Sequence, residues 1–199
     1  MINKSLKTIF DYTPETAHSI LAKYLKDYPV KFKISKERYS KHGDYRLYSN
    51  GLEQISINSN LNPYRFLITL VHEISHLVAF KIYGKSIKPH GKEWKNVYKD
   101  LMTPLINSNV FPKSILIQLK KHFINPKAST DSDLDLIKAL NSEEKDSKLY
   151  LYNIPEGKSF KIYNGRIFIK GPKKRKRFEC EEKSSGIKYL FNPLVEVLI

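Results

Sequence analysis

After Thr13-Pro14-Glu15 the apolar residues Ile20, Leu21, Tyr24 and Leu25 recur at helical spacing. Threonine accepts first-turn amides and proline suits a first turn, so the pattern predicts a capped helix ending near Tyr28-Pro29. Polar and apolar residues then alternate over residues 30–35, 45–49 and 53–58, with the turn formers His42-Gly43-Asp44 and Asn50-Gly51 between them. A period of two predicts strands, here a small antiparallel sheet.

Asn62-Pro63 opens a stretch, residues 64–83, that is apolar around most of its circumference. That marks a helix buried against other elements, with Gly84 as its C-terminal cap. Residues 90–102 carry Trp94, Val97, Tyr98 and Leu101 at helical spacing, and residues 112–123 carry Ile115, Leu116 and Leu119. The first 125 residues therefore read as an α+β domain.

Between residues 126 and 147 the chain turns polar and acidic, with Asp131, Asp133, Asp135, Glu143, Glu144 and Asp146. A linker with at most one short helix is expected there. Beyond it, LYLYNI, KSFKIY, GRIFIK, KRFEC and IKYLF are short β-type runs separated by turn formers. Residues 148–199 thus predict a small all-β module.

Composition adjusts this outline in three ways. With 41% hydrophobic residues among 199, a packed core is within reach and global disorder is excluded. One cysteine, Cys180, excludes an intrachain disulfide framework and any zinc site built from cysteine pairs. The N-terminus lacks the pattern of a secretory signal, and no window reads as a membrane span of about 18 apolar residues. A cytoplasmic protein without membrane contact is the expectation.

The chemistry concentrates in His72-Glu73-Ile74-Ser75-His76, within the helix expected to be buried. Positions i and i+4 project from one helical face, so two imidazoles can grip one metal ion. An unpartnered histidine or glutamate buried there would cost several kcal/mol, on the order of the penalty for desolvated polar groups. Glu73 is placed to take a proton from water acidified by the metal and to pass it to a leaving amine, which implies amide hydrolysis. A third ligand must come from the next segment, KIYGKSIKPHGKEW, where His90 and Glu93 compete and helical geometry does not choose between them. His18, His42 and His122 have no such partner spacing and are set aside.

The HEISH motif, then thirteen residues, then His90-Gly91-Lys92-Glu93-Trp94, resembles the SprT-like family, which includes the Spartan proteases. The resemblance covers chiefly residues 1–125. It implies a zincin-like minimal metalloprotease fold and a zinc metalloendopeptidase holding one zinc ion on His72, His76 and His90, with Glu73 as base and Trp94 packed behind. It also suggests a protein substrate associated with or crosslinked to DNA. Many members end in a zinc ribbon of paired cysteines; with Cys180 alone, this chain is expected to hold no second zinc.

The tail has a different character. Residues 148–199 carry 12 Lys and Arg against five Glu, within a chain of net charge +15, and Lys173, Lys174, Arg175, Lys176 and Arg177 are consecutive. Such a patch binds polyanions by counterion release, without reading sequence. Phe168, Phe178 and Tyr189 lie near enough in sequence to stack on unpaired bases, which includes single-stranded DNA among the expected partners. The competing reading keeps the zinc but makes the chain a nucleic-acid-binding or regulatory protein with little peptidase activity.

Overall fold

A 3-10 turn at Glu15–Ala17 leads into helix α1 (His18–Asp27), whose Leu21, Tyr24 and Leu25 are buried. Thr13 is not its cap: the hydroxyl donates back to the Ile9 carbonyl at 3.1 Å. The computed structural model describes residues 7–38, 41–127, 133–143 and 148–199 and divides into two units, Met1–Glu144 and Lys145–Ile199.

In the first unit, strands β1 (Lys31–Ser35), β2 (Gly43–Leu47) and β3 (Glu53–Asn58) form a sheet of order β1-β3-β2. The sheet is mixed rather than antiparallel. β2 and β3 form a hairpin and pair antiparallel, while β1 lies on the far edge of β3 and pairs with it in parallel. Alternation identifies strands but carries no information about partners. Gly43 and Asp44, expected in a turn, instead open β2.

Helix α2 (Pro63–Tyr83) is the axis of this unit. The Asn62 side chain accepts the Arg65 amide at 2.9 Å, Pro63 occupies the first turn, and Gly84 closes the helix at φ 74°. Phe66, Leu67, Leu70, Val71, Ile74 and Leu77 are fully buried, each contributing about 1.5–3 kcal/mol of hydrophobic stabilisation. By length and composition α2 would also pass for a membrane span, contrary to the expectation from sequence, yet 67% of its most apolar window is buried inside the fold. Helices α3 (Lys92–Met102) and α4 (Lys113–Ile124) add Trp94, Tyr98, Met102, Ile115 and Leu119 to the same core.

The stretch expected as linker contains helix α5 (Leu134–Asn141). Its Leu136 and Leu140 join the first unit's core, and its backbone accepts from the Asn62 side chain at 2.9 Å. Asp133 caps it and also pairs with His122 at 3.0 Å. Acidic composition hid the buried spacing of Leu136, Ile137 and Leu140. Asp131, Glu144 and Asp146 lie outside the described residues.

The second unit is a four-stranded antiparallel sheet of order β4-β5-β6-β7, from β4 (Ser159–Lys161), β5 (Ile167–Lys174), β6 (Arg177–Glu182) and β7 (Lys188–Phe191). LYLYNI, read as a strand, is instead a 3-10 turn at Leu151–Asn153. Leu151, Ile154, Phe160, Ile162, Phe168, Cys180 and Val197 form the core of this unit. The chain as a whole is α+β with a separate β-sheet C-terminal region.

Candidate metal centre

α2 stacks His72 and His76 one turn apart, with their Nε2 atoms 3.2 Å from each other. His90 comes from the turn before α3 rather than from the helix itself, and its Nε2 lies 3.0 Å from His76 and 3.2 Å from His72. Its backbone adopts φ 60°, the left-handed region, which an ordinary residue occupies at some cost and which recurs at functional sites. Gly91 holds this turn: its amide donates to the Lys88 carbonyl at 2.8 Å, and a Cβ there would fall 2.9 Å from the same oxygen.

Protons cannot satisfy this triangle. Each Nε2 is either a donor or an acceptor, so in a closed ring of three at least one edge pairs like with like. One central cation satisfies all three lone pairs together. Tetrahedral zinc with bonds of about 2.0–2.1 Å asks for nitrogens roughly 3.3–3.4 Å apart, close to the spacing found. The three neutral-nitrogen donors therefore fit a zinc-type ion. Among the described residues, no other group of three histidine, cysteine or acidic side chains comes together in this way.

Electrostatics agree. Burial, then the neighbouring His76 and His90, pushes His72 down to about 2. Burial and His90 push His76 down to about 4, and burial lowers His90. All three are held as neutral imidazoles, the form that binds metal. Fully buried Trp94 backs the cluster, its ring centroid 4.6 Å from His72, 5.1 Å from His76 and 4.7 Å from His90. Tyr98 packs behind Trp94 at 4.8 Å.

Glu73, one residue along α2, turns toward β2 and is only 6% exposed. Burial raises its carboxyl to about 8, opposed by a hydrogen bond from the Tyr45 backbone amide; Asp44 raises it further, while Arg38 and Lys41 lower it. Glu93 is not part of the histidine cluster. His18 stacks on Phe10 at 4.1 Å, His122 is buried against Asp133, and the His42 carbonyl accepts the Asn58 amide. The sequence reading missed the contribution of Gly43 and Tyr45, although the alternation of Tyr45 and Leu47 extends back to Gly43.

The second unit places Lys173, Lys174, Arg175, Lys176 and Arg177 exposed at the tip of the β5–β6 hairpin, with Arg175 at φ 52°. The aromatics expected to stack on bases are already engaged. Phe168 is fully buried, Arg166 lies over Phe168 and Tyr189 at 5.1 and 4.8 Å, and the Lys170 ammonium sits 3.9 Å from the Phe178 ring centroid.

Comparison with known proteins gives one consistent result. The model of the SprT-like family matches residues 14–114. Protein SprT of Vibrio parahaemolyticus is 41% identical over 54 residues, which is 25% of this chain and 32% of that protein. Protein SprT of Shewanella oneidensis is 43% identical over 56 residues, 28% of this chain and 35% of the relative. The chain thus matches about a third of the length of these curated relatives. No solved structure matches significantly.

Proposed function

The chain belongs to the SprT-like family, and from that premise we propose that it is a zinc-dependent metallopeptidase, with His72, His76 and His90 as ligands and Glu73 as general base. The observation that carries the proposal is the triangle of Nε2 atoms at 3.0–3.2 Å, with a buried carboxylate on the adjacent residue. Zinc held there would polarise a scissile carbonyl and acidify water at neutral pH.

The chain's own residues supply the rest. The three imidazoles, neutral and backed by Trp94, would hold the cation in nearly the arrangement they already have. The Glu73 carboxylate takes a proton as water attacks and returns it to the leaving amine, a role suited to a carboxyl whose proton affinity burial has raised. A helix carrying the site beneath a small sheet, with edge strand β2 beside the base, supports the zincin-like reading of the fold.

DNA-associated proteins as substrates are the finer part of the proposal, supported by the five exposed cations at the β5–β6 tip. Because Phe168, Phe178 and Tyr189 are engaged internally, the support is for contact with phosphates rather than stacking on unpaired bases. A cytoplasmic location belongs to the same reading. The test is cleavage of a fluorescently labelled unfolded protein by the full chain: it should stop with a chelator and return with zinc. Cleavage indifferent to both would overturn the proposal.

A further inference from the structure

Gly43 is the first residue of β2, and its φ is not in the left-handed region, so the backbone there does not call for glycine. Space does. A Cβ on Gly43 would lie 2.8 Å from Thr69 Cγ2 and 3.0 Å from both Cγ and Oε1 of Glu73. Thr69 and Glu73 are one turn apart on α2, so together they form a slot that receives the bare backbone of β2. Two residues on, the Tyr45 backbone amide is turned toward the Glu73 carboxylate and favours its charged form. Even-numbered residues of β2 pair with β3, as the bonds from Asn58 N to His42 O and from Tyr48 N to Leu52 O show, so Tyr45 presents its amide on the outer edge.

Other contacts hold β2 in this position. The Asp44 carboxylate accepts from Arg38 at 2.5 Å, from Arg46 at 2.8 Å and from the Ser56 hydroxyl, with the Lys41 ammonium at 3.3 Å. Arg38 Nε also donates to Asn58 Oδ1 at 2.8 Å, and the Asn58 side-chain nitrogen, Nδ2, donates back to the carbonyls of Arg38 and Lys41 at 3.1 and 2.9 Å. From the next residue, the Tyr45 hydroxyl donates to Glu53 at 2.9 Å, and Glu53 pairs with Lys81 of α2 at 2.6 Å. The strand is held at Asp44 and Tyr45, next to the glycine that sits against the base.

We infer that Gly43 is a positioning residue for Glu73: its missing side chain lets β2 enter the Thr69–Glu73 slot and bring the Tyr45 amide onto the carboxylate, fixing the base beside the histidine cluster. The inference rests on the peptidase reading for its catalytic consequence, but its structural half stands apart from activity.

Two variants of the full chain test it, G43A alone and G43A combined with T69S. The serine removes the methyl at 2.8 Å but leaves both Glu73 contacts. With one zinc retained, G43A should lower kcat about 100-fold, the scale of loss expected when a reacting group is misplaced by about 1 Å, with KM changed less than about 2-fold. The added T69S should recover thermal stability without recovering kcat. Separately, the Tyr45 amide should resist hydrogen exchange in the wild type despite its edge position and exchange at least about tenfold faster in G43A and in E73A. If kcat recovers together with stability, or Tyr45 exchange is the same in all the proteins, the inference is overturned. A zinc-loaded wild type that cleaves nothing removes the peptidase reading instead, while the exchange result still decides the placement of Glu73.

Discussion

His90 Nε2 lies 3.0 Å from His76 Nε2 across fourteen positions of sequence, and a left-handed backbone at His90 makes the approach. No proton arrangement satisfies that contact together with the two to His72, so the relationship is best explained by a shared cation. H90A should therefore lose zinc after mild chelator dialysis, whereas E93A should keep about one equivalent. Elemental analysis of the two variants beside the wild type checks this. Metal loss from E93A alone would reassign the third ligand.

Trp94 touches all three imidazoles and is fully buried. Truncation to alanine should cost about 3–5 kcal/mol of stability, the usual range for a large buried aromatic. Zinc affinity should weaken by about 10- to 100-fold as the rings lose their backing. Urea unfolding and competition with a zinc chelator measure the two effects separately.

Asp44 gives a pH dependence of definite sign. Burial raises its carboxyl, but hydrogen bonds from Ser56, Arg38 and Lys41 outweigh burial and hold it well below the usual carboxylate range. A folded-state value below the unfolded one means stability that is present above about pH 4 and lost as pH falls further. Thermal unfolding of the full chain should show D44N less stable than the wild type near pH 6, with the gap closing on acidification. A gap that widens toward low pH would contradict the network.

The β5–β6 tip makes a salt-dependent prediction. Replacing Lys174, Arg175 and Lys176 with glutamine should weaken binding to duplex DNA and reduce the slope of log affinity against log salt by up to about 3, near 0.9 per lost phosphate contact. The wild type should bind single strands without extra affinity from Phe168, Phe178 or Tyr189 stacking on bases, since these three rings are engaged internally. Fluorescence anisotropy at several salt concentrations measures both. An unchanged slope would remove the hairpin from the interface.

Much of the site was legible because its main signal is local. His72 and His76 at i and i+4 share a helical face whatever surrounds them, and Asn62-Pro63 and Gly84 mark the ends of α2. His90 was harder, since a turn after a helix can aim its side chains in many directions and only the left-handed backbone settles this one. Non-local relationships were not legible. Alternation gave three strands but not the parallel pairing of β1 with β3. Gly43 beside His42 and Asp44 resembled turn chemistry, because the reason for it, Glu73, lies thirty residues away. In the acidic stretch, charge density obscured the few apolar residues that carry α5 into the core.

The central claim is that Glu73 serves a zinc-dependent hydrolysis, and E73Q tests it most directly. The variant keeps the three histidines and removes the proton acceptor. The account predicts about one bound zinc per chain with turnover of an unfolded protein substrate lowered by about 100- to 10,000-fold. Cleavage by E73Q at the wild-type rate, with zinc bound, would contradict it.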